Sequence, residues 1–381
     1  MPRGGAGTPD PAQQHLRSAD ASFEPCATQE QDRHDDQGGD AGAPRAGVAA
    51  RPAANLYEAV VTRTSRIVGA LLLLGAVVAL TAVGAAAARD IAAARARVAA
   101  GSAIAATPCG PIEYATLGAG PAVLMVHGAG GGWDQGLALG RDLAAQGFRV
   151  VAMSRFGYLR TPLPADASAA AQADAHACLL DALGIARAVV VGASAGAPST
   201  LQVALRHPAR TSGIALLVPA AWMPDAAGGT GTTRATAWLF DTALRSDALY
   251  WAALHLARDA LLGGVLATPP GLVHAADAGE QARADAILRE VLPISLRRAG
   301  LLNDAAVVST LERVPLQRIV APALVVSVRD DRFDTWRRAR WTAQQLPDAR
   351  FVDYEQGGHV WIGHHAELMN ELTAFVRRAG E

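Results

Sequence analysis

The run Val189–Val190–Val191–Gly192–Ala193–Ser194–Ala195–Gly196 carries the strongest chemical signal in the chain. An apolar β-branched stretch leads into Gly-x-Ser-x-Gly and then into a helical sequence. That order predicts a serine on a sharp strand-to-helix turn, where side chains at 192 and 196 would collide with neighbouring backbone. Such a turn lifts the Ser194 hydroxyl off a sheet and sets it at a helix N-terminus, whose N–H groups favour developing negative charge. Pro198 fits there, because first-turn N–H groups lack partners anyway. A serine hydroxyl is a poor nucleophile near neutral pH and needs a base, itself oriented by a carboxylate. Both types follow downstream. The apolar run 323–328 opens into Arg329–Asp330–Asp331–Arg332–Phe333–Asp334, and the run 351–354 opens into Gly357–Gly358–His359.

A second loop carries backbone chemistry. His127–Gly128–Ala129–Gly130–Gly131–Gly132 follows the apolar run 122–126. A glycine-rich turn after a strand exposes N–H groups that suit an oxyanion hole or a phosphate cradle. It lacks the Lys-Ser/Thr ending of a P-loop and the full Gly-x-Gly-x-x-Gly context of a dinucleotide fold. The oxyanion reading remains, with the N–H groups of Ala129 and Ala195 as donors and His127 as a structural residue pinning the loop. In the segment 154–161, Arg155 and Arg160 read either as anion-recognising groups or as salt-bridged rim residues. Trp222, Trp238, Tyr250 and Trp251 read either as lining of an apolar pocket or as the core of an insertion.

The other histidines take plainer readings. His364 and His365 belong to the surface of a final helix, and His207 ends an earlier one. On a helix, the spacing of His176 from Asp174 and Cys178 points the side chains apart. His255 with Asp259 and His274 with Asp277 form surface pairs, short of the third donor a metal needs. No metal and no cofactor are expected.

The elements that must position these residues alternate. Residues 122–126, 149–153, 188–191, 214–218 and 323–326 are short apolar runs suited to a sheet covered on both faces. Helix-like stretches lie between them, at 135–146, 168–183 and 195–206, with Ser168 as an N-cap. The pattern predicts an α/β fold with a mainly parallel sheet and helices on both faces. It breaks at 223–318, where helical periodicities at 235–262 and 280–299 flank the breaker run Thr268–Pro269–Pro270–Gly271. That stretch reads as a helical insertion roofing the site.

Composition narrows the class. With 381 residues, 51% of them hydrophobic, the chain has ample material for a large core. A net charge of −1 leaves no electrostatic footprint for nucleic acid. Lysine is absent throughout, so Schiff-base and P-loop lysines are excluded. Three cysteines are too few for a disulfide scaffold; a single Cys109–Cys178 bridge is open, though the spacing does not demand it.

Residues 1–66 begin poor in large apolar side chains and read as a disordered N-terminal segment. Residues 67–88 hold no charge, and a helix there is about 33 Å long, enough to cross a hydrocarbon core of about 30 Å. Arg63 and Arg66 precede it and Arg89, Arg95 and Arg97 follow. The segment reads as a single membrane span with the N-terminus inside and the globular part exported, or as a signal sequence cleaved on secretion. Residues 89–104 then form a stalk.

These motifs together resemble the α/β-hydrolase superfamily over roughly residues 105–381. The order Ser194, Asp331, His359 is that superfamily's chain order. The resemblance implies that Ser194 is the nucleophile, His359 the general base and then acid, and Asp331 the residue orienting the imidazole. The family places its acid three residues after a glycine where Val328 stands here, so Asp330 ranks second and Asp334 third. It also implies a hydrolase core at 105–222 and 319–381, with a helical cap at 223–318. The expected activity is hydrolysis of an ester, thioester or related carbonyl compound with an apolar part, through an acyl-enzyme. Alternatives on the same frame are C–C bond hydrolysis of oxo-dienoates, for which His127–Gly132 is similar to those enzymes' glycine-rich loops, and cofactor-free haloperoxidase chemistry. Asp-elbow epoxide hydrolases and dehalogenases are disfavoured by Ser194. A non-catalytic binding protein of the same fold is a further alternative, set against the complete nucleophile, acid, base and oxyanion loop. The partners expected are a small-molecule substrate and a membrane through residues 67–88, with no nucleic acid. The sequence gives no oligomeric state.

Overall fold

The computed structural model describes residues 52–224 and 241–380. The chain divides into two units, 1–69 and 70–381. Helix α1 (Pro52–Ala99) supplies the described part of the first unit and the opening of the second. The expected disorder of residues 1–66 falls mostly outside the described residues, and from Pro52 onward the segment is helical.

The eight strands are β1 (Ala103–Thr107), β2 (Gly110–Leu117), β3 (Ala122–Val126), β4 (Arg149–Met153), β5 (Ala188–Ala193), β6 (Thr211–Leu217), β7 (Ala323–Val328) and β8 (Ala349–Tyr354). They form one sheet in the order β1-β2-β4-β3-β5-β6-β7-β8. β1 and β2 pair antiparallel, β2 runs antiparallel to β4, and every later pairing is parallel. The α/β-hydrolase architecture expected from sequence is therefore present.

Strand composition explains the two-sided burial. On β3, Leu124 and Val126 enter one core cluster while Val123 and Met125 enter the other. That is the period-two alternation of a strand apolar on both faces. Helices α3 (Ala169–Ala182) and α4 (Ala197–Arg206) cover the first face, and α2 (Trp133–Ala145) covers the second. Ser168 caps α3, its side chain accepting from the Ala171 N–H at 3.2 Å. Cys109 and Cys178 are joined, their Cα atoms 6.2 Å apart, which ties the β1–β2 turn to α3.

Between β6 and β7 the chain leaves the sheet. The described part of this insertion holds α5 (Asp247–Leu256), α6 (Arg258–Gly264), α7 (Pro270–Ala275), α8 (Ala278–Glu290) and α9 (Arg298–Ser309). The helices expected at 235–262 and 280–299 are thus broken into shorter pieces. Pro293 accounts for the second break, since it lacks an N–H and clashes with the preceding turn. Trp238 lies outside the described residues. Two more helices, α10 (Thr335–Gln345) and α11 (His365–Gly380), complete the layers, α10 on the face of α3 and α11 beside α2.

The stalk expectation for residues 89–104 needs correction. α1 continues to Ala99, and its last turns pack onto the insertion instead of standing free. Trp251 Nε1 donates to Asp90 Oδ2 at 3.0 Å, Arg95 Nη2 meets Asp247 Oδ2 at 2.6 Å, and Val98 is buried. The reason is the polar side chains of Asp90, Arg95 and Arg97, which find fixed partners where the apolar run ends. Upstream, Leu71, Leu72, Leu73 and Leu74 are all exposed, so this stretch is no buried core helix. Over Tyr57–Ala99 the helix is long and apolar enough to cross a membrane.

Candidate active site

β5 delivers Ser194 onto the turn that its sequence requires. The residue has φ +49°, the left-handed region that costs an L-residue roughly 1–2 kcal/mol, and the fold holds it there. The turn closes because positions 192 and 196 have no side chains. A Cβ on Gly192 would sit 2.2 Å from Thr200 Oγ1, and one on Gly196 would sit 2.7 Å from the His127 carbonyl. Ala195 follows inside a single helical turn, Ser194–Gly196, where an N–H has no intrahelical acceptor.

The acid and the histidine come from the ends of β7 and β8. His359 Nδ1 donates to Asp331 Oδ2 at 2.7 Å, and both residues are buried. Asp331 is held on both oxygens. Its Oδ1 accepts the Phe333 N–H at 2.9 Å, and its Oδ2 also accepts from the Thr335 hydroxyl. Asp330 points elsewhere, its Oδ1 accepting the Gly358 N–H at 2.8 Å and so fixing the histidine loop. Asp334 is exposed and pairs with Arg337 at 3.6 Å. Of the three acids, Asp331 is the one that meets the imidazole. The Phe333 ring stands edge-on to His359, centroids 5.0 Å apart.

The glycine-rich loop is pinned at nearly every peptide group. His127 Nε2 accepts the Arg155 N–H at 2.9 Å, which leaves Nδ1 as the donor to Gly128 O at 2.7 Å. Burial, then the Arg155 charge, pushes the His127 pKa well below its usual value, so the ring is neutral and structural. Gln135 Oε1 takes the Gly128 N–H at 3.0 Å and Tyr158 Oη takes the Gly130 N–H at 3.2 Å. The Gly131 carbonyl accepts from Arg297 Nη1 at 2.5 Å. The Ala129 N–H has no partner among the described residues, and Ala129 itself is exposed. Ser194 lies close by, its Cβ 3.3 Å from where a Cβ on Gly128 would stand. The arrangement suits attack on a carbonyl, with two backbone donors for the oxygen that becomes charged.

Of the two readings for Arg155 and Arg160, the salt-bridged one describes the structure. Arg155 is buried, its guanidinium forked onto Asp304 at 2.6 and 2.7 Å. Arg160 Nε meets the buried Glu113 at 2.7 Å. Tyr250 belongs to the insertion core and donates to the Leu288 carbonyl at 2.9 Å; Trp222 stands edge-on to Trp341. His176 is buried between Met153 Sδ and Ser199 Oγ, and burial drops its pKa to about 3. The expected His255–Asp259 and His274–Asp277 pairs do not form. His255 Nδ1 turns back to the Trp251 carbonyl, and His274 Nε2 meets Asp259 at 3.0 Å. His365 is half-buried against Asp142 and His364 stacks on Tyr354, so neither is a fully solvated side chain. Among the described residues no three His, Cys, Asp or Glu side chains gather as a metal site would need.

Three residues that hold the loop escaped the sequence: Tyr158, Arg297 and Asp304. Tyr158 lay in a segment already singled out, but its hydroxyl donates to Asp304, on an insertion helix far along the chain.

The description "alpha/beta hydrolase fold" fits residues 121–363, well over half of the chain, which belongs to that family. A 2-hydroxy-6-oxo-6-phenylhexa-2,4-dienoate hydrolase of Burkholderia cepacia is 29% identical over 69% of this chain and 89% of its own length. A 2-hydroxy-6-oxononadienedioate/2-hydroxy-6-oxononatrienedioate hydrolase of Comamonas testosteroni is 28% identical over the same shares. Among solved structures, an alpha/beta hydrolase fold protein from Nakamurella multipartita superposes with a TM-score of 0.59 at 27% identity. It is matched over 74% of this chain and 100% of that one.

Proposed function

We propose that this chain is a serine hydrolase in which Ser194, His359 and Asp331 act as nucleophile, base and orienting acid. The observation that carries it is the 2.7 Å His359–Asp331 hydrogen bond on loops that leave the same edge of the sheet as a strained, strand-end Ser194. Ser194 Oγ attacks a carbonyl carbon while His359 Nε2 takes its proton, and Asp331 stabilises the imidazolium through Nδ1–H. The oxygen gains its charge facing the Ala129 and Ala195 N–H groups. Collapse expels the leaving fragment, which takes the proton from His359, and leaves an acyl-Ser194. Water, deprotonated by His359, then releases the acid.

The relatives' names favour a carbon leaving group, that is, C–C bond hydrolysis of a 2-hydroxy-6-oxo-dienoate. There the electron pair of the broken bond passes into the conjugated fragment before protonation. An ester is the second reading. Arg155 and Arg297, the guanidinium groups at the loop, are buried and hydrogen-bonded to Asp304 and Asp134, and so are engaged before any substrate carboxylate arrives. The deciding experiment compares kcat/KM on 2-hydroxy-6-oxo-6-phenylhexa-2,4-dienoate with that on p-nitrophenyl esters of rising chain length. The C–C reading expects the dienoate to win by at least about a hundredfold, the margin a matched site gives. Ester turnover with no dienoate cleavage would replace it with the esterase reading.

We also propose that α1 is a single-pass anchor through residues 67–88 with the hydrolase domain exported, which the exposed apolar run of the helix supports. The Cys109–Cys178 bridge supports an oxidising compartment. Carbonate extraction of membranes would retain the full chain, whereas a secreted, cleaved form would appear in the medium.

A further inference from the structure

Two arginines leave the end of α1 for the hydrolase domain, and they reach different places. Arg95 stays with the insertion, meeting Asp247 Oδ2 at 2.6 Å and Ser295 Oγ at 3.2 Å. Arg97 reaches the start of α2. Its Nη1 donates to Asp134 Oδ2, and its Nη2 donates to the Leu292 carbonyl at 2.7 Å. Asp134 is shared with Arg297, whose Nη2 donates to Oδ2 at 2.7 Å and whose Nη1 lies 3.2 Å from Oδ1. That same Nη1 donates to the Gly131 carbonyl. A continuous run of contacts therefore passes from Arg97 through Asp134 and Arg297 to Gly131, two residues beyond Ala129.

The balance of charge gives this run its effect. Arg297 has no exposed surface, and Asp134 is its carboxylate partner. Burial works to raise the Asp134 pKa, but Arg297 and then Arg97 outweigh it and hold the carboxylate ionised. Without Arg97, Asp134 Oδ2 loses a charged donor and its demand falls on the remaining guanidinium. Arg297 Nη1, now divided between Gly131 and Asp134, is then drawn toward the carboxylate. The Gly131 carbonyl loses its tether, and the Ala129 N–H on the same loop loses its aim.

We propose that Arg97 is a positioning residue for the oxyanion loop, so that the end of α1 is a working part of the hydrolytic site. This rests on the serine-hydrolase reading above. Loop precision matters because a preorganised donor works only when it is fixed before the charge develops.

The test uses the full chain in detergent as wild type, Arg97→Ala, Arg97→Lys and Arg95→Ala. A fluorophosphonate probes the loop, since its phosphonyl oxygen seeks the oxyanion donors, and p-nitrophenyl butyrate separates kcat from KM. Arg97→Ala is expected to react at least about tenfold more slowly, through kcat, with KM within about twofold. Arg97→Lys recovers part of the rate, because it keeps a cation for Asp134. Arg95→Ala, which breaks an ion pair of the same kind on the same helix, reacts at the wild-type rate. Backbone hydrogen exchange over residues 127–134 gives a readout that needs no activity, and it quickens in Arg97→Ala alone. Unchanged rates and exchange in Arg97→Ala would overturn the proposal. So would an equal loss in Arg95→Ala, which would assign the effect to helix docking in general. A wild type that fails to react while exchange changes as expected would count against the hydrolase reading and still support the hold of Arg97 on the loop.

Discussion

Asp330 and Asp331 are adjacent in sequence and opposite in task. The turn after β7, closed by the Asp331 N–H on the Val328 carbonyl at 3.3 Å, sends the second carboxylate to His359 and the first to the Gly358 N–H. Asp331→Asn keeps the shape but upsets the tautomer of the imidazole, so kcat on a p-nitrophenyl ester should fall by about 10³–10⁴. Asp330→Asn keeps an oxygen for Gly358 and should cost no more than about tenfold. Equal losses in the two variants would contradict the assignment. The elbow serine was legible because its glycines are required by sterics, and the histidine because a strand precedes it. The choice between neighbouring acids was not legible, since the direction of one turn decides it and no residue type announces that direction.

At the scale of elements, the insertion helices bear on the site more than their sequence suggested. Asp304 on α9 holds both Arg155 and the Tyr158 hydroxyl, which in turn holds the Gly130 N–H. Its removal strands a buried guanidinium, so Asp304→Ala should lose about 3–5 kcal/mol in urea unfolding, far more than a surface aspartate would. Nothing near Asp304 in sequence marks it, because its partners lie on a loop 149 residues earlier. The alternating strands, by contrast, were readable as a two-sided sheet from their β-branched runs. Glu290, at the end of α8, gives a pH signature. Burial, with Asp134 next, raises its carboxyl to about 7 from 4.5, against the pull of Arg97, Arg297 and Arg141. A raised native pKa means that the folded chain keeps a proton the unfolded chain releases. The stability tied to it is full below about pH 4.5 and is lost as pH rises through about 7. Glu290→Gln should match wild type near pH 4 and exceed it near pH 8 by on the order of 1–3 kcal/mol. A constant difference across that range would contradict it.

For the whole molecule, one covalent link and one helix set the context in which the site works. The Cys109–Cys178 bridge spans 69 residues of chain, a loop whose closure stabilises the fold by about 4 kcal/mol through the unfolded state. Reduction should therefore lower the denaturant midpoint without changing the Ser194 environment, and Cys178→Ser should reproduce the shift. A midpoint insensitive to reductant would contradict the bridge. The apolar length of α1 was legible as a helix long enough to cross a membrane, but the packing of its last turns on the insertion was not, since Asp90, Arg95 and Arg97 read equally well as solvated flanks. The measurement that bears most directly on the central claim is fluorophosphonate labelling of the full chain with peptide mass mapping, run beside Ser194→Ala and His359→Ala. One adduct is expected, on Ser194, absent from the serine variant and slowed at least about a thousandfold in the histidine variant. A folded protein that takes no adduct, or takes it on another serine, would contradict it.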